Sequence, residues 1–189
     1  MLFKNFKTTR STRFLLLLML SIVIGLANAA IFYSLAFSST VSITNPTVIF
    51  VQGEDGSGVV SIGSNSSTAS LTLAAYPNIT LTYEQPLNIS NTDAASHDFR
   101  FRHLTISPAN GTADVGNFSY ICFTILDASG ISQATFNYTT SGNDWITPAT
   151  MDPYETLPAN TQWVVYIETM AAASAQDVSA SITIAVDVQ

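Results

Sequence analysis

The sequence predicts an all-β protein: a single β-sandwich, jelly-roll-like domain that follows a signal peptide and an N-terminal donor strand. After residue 40, short segments of alternating apolar and polar residues are separated by clusters of Gly, Asn, Asp and Pro, which is typical of strands joined by turns. Helical periodicity is confined to a short Ala-rich stretch near residue 171. About 150 residues follow the export segment, which is enough for one domain with a hydrophobic core. We therefore expect three parts: a signal peptide at 1–29, a donor strand at 30–40 and a β-sandwich at 41–189.

The first 29 residues have the layout of a secretory signal peptide. A basic segment, KNFKTTRSTR, precedes an apolar run at 14–26, and Ala27 and Ala29 supply the small residues of an A-x-A cleavage site. We expect cleavage after Ala29 and an extracellular or cell-surface location. The membrane is then a partner only through the signal segment before cleavage.

An anchor is the alternative for the same region. The apolar stretch continues as far as Phe37, which makes it about 24 residues long and sufficient to span a bilayer as a helix. The basic flank would keep the N-terminus inside and place everything after residue 40 outside. Both interpretations put the β-domain outside the cytoplasm.

Residues 30–40 change from Leu-rich to aromatic, β-branched and hydroxylated, which is the composition of a strand. In an extended chain four large side chains share one face: Ile31, Tyr33, Leu35 and Phe37. An apolar strand at a free terminus has unpaired main-chain N–H and C=O groups and therefore tends to pair with a sheet. We expect it to act as a donor strand that inserts into a groove of the next subunit. The first strand of the protein's own sandwich and the tail of a membrane anchor are the alternatives.

Nine strand-length segments follow Val41. The last, VSASITIAVDV, alternates most regularly and predicts one buried and one solvated face. Two others, SYICFTIL and WVVYI, carry large side chains on both faces. Their second face, or a gap beside it, is either a place for a neighbour's strand or the surface of a central strand beneath a loop.

Six sequons N-x-[ST] predict N-glycosylation. A quarter of the residues from position 30 onward are Ser or Thr, so chance predicts about two or three matches among the ten Asn. The six acceptors are Asn65, Asn78, Asn88, Asn110, Asn117 and Asn137. Because an attached glycan must face solvent, we expect these residues in loops or on outward strand faces.

Charge excludes nucleic-acid binding. Four of the six basic residues precede the apolar run, so Arg100 and Arg102 are the only cations after residue 30, against thirteen carboxylates and a formal charge of −11. Such a surface repels phosphate backbones. The two arginines alternate with Phe99 and Phe101, which indicates a solvated face beside a buried one, and pairing with carboxylates at a subunit contact is the alternative.

Catalysis and metal binding have little support in the sequence. His97 and His103 lie six residues apart in a strand-like segment, and no His follows Cys122 to complete a copper site. The single cysteine excludes an intrachain disulfide and is predicted to be an inert buried thiol. The acid pairs Glu54/Asp55 and Asp152/Glu155 are read as solvated turns. We expect a protein that is not an enzyme, with no metal and no cofactor beyond covalent N-glycans.

Together, the A-x-A signal peptide, the apolar strand behind it, the hydroxyl-rich β-domain and the dense sequons resemble the subunits of archaeal thread filaments. The chain is more loosely similar to TasA-type matrix fibre proteins. The resemblance covers the layout of the whole chain and no diagnostic motif. It implies a homopolymeric extracellular filament joined by donor-strand complementation, coated in N-glycans, and serving adhesion to other cells or surfaces or biofilm cohesion. Ile31, Tyr33, Leu35 and Phe37 would be the donor side chains.

Archaeal type IV pilins share a basic leader, a long apolar segment and a glycosylated β-domain. Their peptidase cuts before the apolar run, after a small residue that follows a cation, whereas here Arg13 is followed directly by Phe14. A membrane-anchored, surface-layer-associated ectodomain is the third interpretation.

Overall fold

The computed structural model describes residues 14–15, 17–22, 45–148, 154–175 and 178–189. The chain divides into two compact units, residues 1–43 and 44–189. In the first unit, residues 14–15 and 17–22 are helical and exposed. Within the described ranges, no helix has both the length and the apolar character needed to cross a membrane. The cleavage site at Ala29 lies outside the described residues.

The second unit is a β-sandwich of two antiparallel sheets, as the sequence predicts. Sheet A contains, in spatial order, β1 (Val48–Gln52), β4 (Leu81–Asn91), β10 (Gln162–Ala171), β6 (Phe118–Leu126), β7 (Ser132–Ser141) and β8 (Asp144–Ile146). Sheet B contains β2 (Val60–Ile62), β3 (Thr68–Ala75), β11 (Val178–Val188), β5 (His97–Ser107) and β9 (Glu155–Leu157). Two short 3-10 turns, Glu54–Gly56 and Val115–Asn117, lie in the connections.

Contacts between aromatic rings run through the core between the sheets. Phe50 of sheet A packs on Phe101 of sheet B with ring centroids 5.2 Å apart, and Phe99 meets Trp163 edge-on at 5.9 Å. Phe123 is fully buried and stacks on Phe136 of the neighbouring strand at 4.7 Å. Such ring pairs add to the free energy of burial and fix how the sheets face each other.

Strand β11 has the two faces that its alternation predicts. Ala180, Ile182 and Ile184 are fully buried, whereas Ser179 and Ser181 on the other face are exposed. The strand lies at the centre of sheet B, paired with β3 and β5. The central position explains why buried and exposed residues alternate so regularly along β11, since its inward face contributes to the core along the whole strand.

The described part of the chain contains eleven strands, whereas the sequence predicts nine. The two that the sequence did not indicate, β8 and β9, are three residues long and belong to sheet edges. Strand β4 also runs to Asn91, beyond the predicted ITLTYE segment, and includes Pro86. The pairing of β10 with β4 shifts register between Val165 and Ile167, where β4 passes through Pro86. Proline is tolerated in a sheet at such an irregularity, because the ladder is already interrupted there.

Strands β6 and β10, which carry large side chains on both faces, are the two central strands of sheet A. Their inward side chains, such as Phe123 and Val165, are fully buried. Their outward side chains, such as Val164 and Tyr166, are half-buried. The central position is therefore confirmed, and the outer face of sheet A is partly apolar.

We predict that Phe123→Ala destabilises the domain by about 3–5 kcal/mol, because it removes a buried ring and leaves a cavity next to Phe136. Denaturant unfolding measures the change. Thr135→Ala on the exposed face of the adjacent strand is the control, with an expected effect within about 0.5 kcal/mol. Equal stability of the two variants would contradict this description of the core.

Candidate functional site: the open flank and the glycosylation sequons

The predicted donor side chains Ile31, Tyr33, Leu35 and Phe37 lie outside the described residues, as does the whole of 30–40. Their role stays a prediction. The described sandwich shows which strand edges have no described strand partner.

One flank of the sandwich has two strand edges without a described strand partner. In sheet B, β9 pairs only with 97–99 of β5, so the outer edge of 100–107 meets no described strand. In sheet A, β8 pairs only with 139–141 of β7, so the outer edge of 132–138 also meets no described strand. Residues 149–153, between β8 and β9, are outside the described ranges.

Side-chain contacts hold these two strands together across the sandwich. Phe101 of β5 meets Phe136 of β7 edge-on at 5.8 Å between centroids. The His103 ring nitrogen Nδ1 lies 3.1 Å from the Tyr138 hydroxyl. We call this side, formed by 100–107 and 132–138, the open flank.

The opposite flank is closed by the main chain. There, the amide of Phe50 in β1 donates to the Ser66 carbonyl at 2.7 Å, and the amide of Val186 in β11 donates to the Ser67 carbonyl at 2.9 Å. The β2–β3 loop therefore joins both sheets. Beyond β2, the β3 edge is also occupied, since the Ala74 amide donates to the Tyr83 hydroxyl at 2.8 Å. Among the described strands, the open flank is thus where a further strand can pair.

Burial controls the ionisation of the His103–Tyr138 pair. Tyr138 is fully buried, and burial raises the pKa of its hydroxyl far above the usual value. Burial also lowers the pKa of His103, since a low-dielectric site disfavours the imidazolium. Both side chains are therefore uncharged at neutral pH where the two sheets meet.

The sequons do not share one environment. Asn65 and Asn78 lie in exposed loops, and Asn110 is exposed while its Oδ1 accepts from the Trp145 amide at 2.9 Å. Asn117 is half-buried in a 3-10 turn. Asn137 is exposed on β7.

The expectation that every sequon faces solvent is wrong for Asn88. This residue lies in β4 between β1 and β10, is 2% exposed, and its Oδ1 accepts from Gln85 Nε2 at 3.3 Å. Leu87 and Ile89 point into the core, so Asn88 faces the outer side of sheet A and is covered there. Its burial disfavours glycosylation, and its occupancy stays a prediction.

Three sequons gather at one end of the sandwich. The Asn78 amide donates to the Ala171 carbonyl, and the Ala172 amide donates to the Asn117 carbonyl. The Gly111 amide, next to Asn110, donates to the Asn143 carbonyl. The loops bearing Asn78, Asn110 and Asn117 thus form one surface. Asn65 lies elsewhere, in the β2–β3 loop that joins the two sheets.

The histidines and acids do not converge on a metal. Within 45–148, 154–175 and 178–189, no group of three or more His, Cys, Asp or Glu is placed to hold one. His97 Nε2 pairs with Asp93 Oδ2 at 2.8 Å, and this hydrogen bond is the main cause that lowers the pKa of Asp93. Glu54 and Asp55 lie in an exposed 3-10 turn, where Asp55 Oδ2 accepts from the Gln85 amide.

The two arginines pair within the domain. Arg102 Nε lies 3.0 Å from Asp187 Oδ2, Arg100 Nε lies 3.7 Å from the same oxygen, and the Arg100 guanidinium stands 4.6 Å from the centre of the Tyr154 ring. The alternation of these arginines with buried Phe99 and Phe101 is as the sequence predicts.

Cys122 is half-buried on the outward side of β6, so the prediction of a buried thiol holds only in part. Burial raises its pKa, which keeps the sulfur in the protonated and unreactive form.

No protein-family model and no curated protein matches the chain. Among solved structures, one from Sulfurospirillum deleyianum is 12% identical with a TM-score of 0.27, covering 62% of this chain and 97% of that one. The enzymatically active domain of tailspike protein 4 from bacteriophage CBA120 is 13% identical with a TM-score of 0.28, covering 78% of this chain and 20% of that one. Neither likeness is close enough to bear on function.

We predict that His103 makes the domain less stable in mild acid. Folding lowers the pKa of His103, so the folded state disfavours the protonated ring. The free energy of unfolding is therefore unaffected by His103 above the unfolded-state pKa of about 6.5, and it decreases as the pH falls from there toward the folded-state pKa. Denaturant unfolding at pH 7.5 and pH 5.5 should show a smaller pH-dependent loss for His103→Gln than for the wild type. Thr105→Ala, on the same strand, should keep the wild-type difference. An unchanged difference in His103→Gln would contradict the assignment.

Proposed function

We propose that this chain is the structural subunit of an extracellular homopolymeric filament, assembled by donor-strand complementation and N-glycosylated, for adhesion or biofilm cohesion. One observation carries the proposal. The sandwich of 45–189 has its own aromatic core, yet both sheets present an edge without a described strand partner on the same flank. A strand-like apolar segment of matching length stands just ahead of it in the sequence.

The lengths fit strand addition. The β5 edge at 100–107 is eight residues long, and the alternating segment 30–38 has nine. Added strands pair through the main chain, which supplies affinity, while alternate side chains enter pockets that supply specificity. The four apolar donor side chains are worth about 1.5–3 kcal/mol each on burial, before the entropy of ordering the strand is subtracted.

The partner in this proposal is a second copy of the chain. The exposed sequons support a sugar-coated exterior, in which attached sugar adds to the solvation that carboxylates, hydroxyls and amides provide. The proposal includes no catalytic role.

The mature N-terminus distinguishes this proposal from its two rivals. We expect Edman sequencing of protein from the cell surface to begin at Ala30, since the A-x-A site precedes it. A start at Phe14 would identify a pilin-type leader, and a start at Met1 would identify a retained anchor. Either of those results would overturn the donor-strand proposal.

We predict that deleting residues 30–38, with the signal peptide still cleavable, yields secreted monomers. The deletion removes the donor face and leaves the sandwich core intact. Size-exclusion chromatography with light scattering and negative-stain electron microscopy measure the outcome. Ser38→Ala is the control, since it keeps the four apolar donor side chains, and it should still form fibres. A deletion of equal length in the basic segment before residue 14 is not a suitable control, because that segment is needed for export. Fibres of normal length from the deletion variant would refute the proposal.

A further inference from the structure

We infer that Asn137 carries an N-glycan whose role is to prevent strand addition at the β7 edge. The inference rests on the export part of the proposed function and not on the donor strand. It follows from comparing how each sheet edge is protected.

Most edges of the sandwich have a visible protection. Strands β2, β8 and β9 are three residues long, and the β1 edge is bonded to the β2–β3 loop. The β5 edge, which the proposed function gives to the donor strand, carries Arg100 and Arg102, and these charges disfavour pairing with any other strand. Short strands, charges and bulges are the features by which natural sheets avoid pairing with other chains.

Strand β7 has a register irregularity at Gln133, near its first residue, and neither of the other two protections. It is ten residues long, and its sequence, SQATFNYTTS, contains no charged residue, no Pro and no Gly. Two of the exposed apolar side chains of the domain border it: Ile131, just before the strand, is 61% exposed, and Ile146, at the end of β8, is 57% exposed. A long, uncharged and aromatic edge of this kind is a predicted site of aggregation.

The same strand contains a sequon acceptor in a suitable position. Phe136 and Tyr138 point into the core and are 8% and 0% exposed, so Asn137 between them points to the outer face, where it is exposed. It pairs with Cys122 on one side and lies two residues from the first β8 contact, at Thr139. A strand added on the other side would place a Cβ atom about 4.5–5.5 Å from that of Asn137. A glycan attached there would crowd the outward side chain of that neighbour.

Asn137 is unlike the other acceptors in this respect. Asn65, Asn78, Asn110 and Asn117 lie in loops or turns, and Asn88 is buried in a central strand. Among the described sequons, Asn137 alone places an exposed acceptor on an edge strand.

The modification itself is a glycosyl transfer from a lipid-linked oligosaccharide. A bond forms between Asn137 Nδ2 and C1 of the first sugar, the bond from C1 to the lipid phosphate oxygen breaks, and the amide proton leaves with the lipid phosphate. The sequon hydroxyl is Thr139, which is half-buried beside β8.

The test uses the secreted protein lacking 30–38, so that donor-strand polymerisation does not interfere. Glycopeptide mass spectrometry should find Asn137 occupied. Sedimentation velocity should show Asn137→Gln self-associating at concentrations where the parent protein and Asn65→Gln remain monomeric. Circular dichroism should show the same strand content in all three.

A second variant isolates the edge mechanism. Thr135 is exposed on β7, two residues from Asn137, and a lysine there restores charge to the edge. We expect Asn137→Gln combined with Thr135→Lys to be monomeric again. An unoccupied Asn137, a monomeric Asn137→Gln, or a double variant that still associates would each overturn the inference. Fibres from the parent lacking 30–38 would instead overturn the proposed function.

Discussion

A β-sheet edge presents main-chain N–H and C=O groups that need partners, and this constraint shapes the whole domain. On one side the constraint is met internally, because the β2–β3 loop bonds to Phe50 and Val186 and ties both sheets together. On the open flank, edge strands of both sheets extend beyond their short neighbours β8 and β9. The proposed filament and the proposed role of Asn137 are both consequences of how that second side is managed.

The aromatic core gives the open flank its rigidity. The chain of rings from Phe50 through Phe101 to Phe136 and Phe123 crosses from one sheet to the other and back. It brings β5 and β7 together without a strand between them, and His103 and Tyr138 add a polar contact at the same place. In the proposed filament, an edge held by these contacts needs little backbone ordering to receive a strand.

The sequence predicts the elements whose pattern is local. Strand β11 was identifiable because its inward residues alternate strictly, and Arg100 and Arg102 were assigned to a solvated face because Phe99 and Phe101 flank them. Strands β8 and β9 are too short to show a period of two, and Pro86 hides the second half of β4. The sequon motif specifies an acceptor and carries no information on burial, so Asn88 could not be separated from Asn137 without the sheet order. The open flank depends on the order of the strands in each sheet and on where the short strands β8 and β9 stop pairing with their neighbours. A single sequence does not specify such long-range pairing.

Charge and the predicted glycosylation bear on how the domain stays in solution. A domain with so few cations gains little from ion pairs, and its two arginines share Asp187. In the proposed account, solubility depends on hydroxyls, amides and attached sugar, and association depends on main-chain edges. Sedimentation velocity of the purified mature protein tests this account most directly. The account predicts rapidly sedimenting polymers that dissociate only on denaturation, and a single boundary at the mass of one subunit would contradict it.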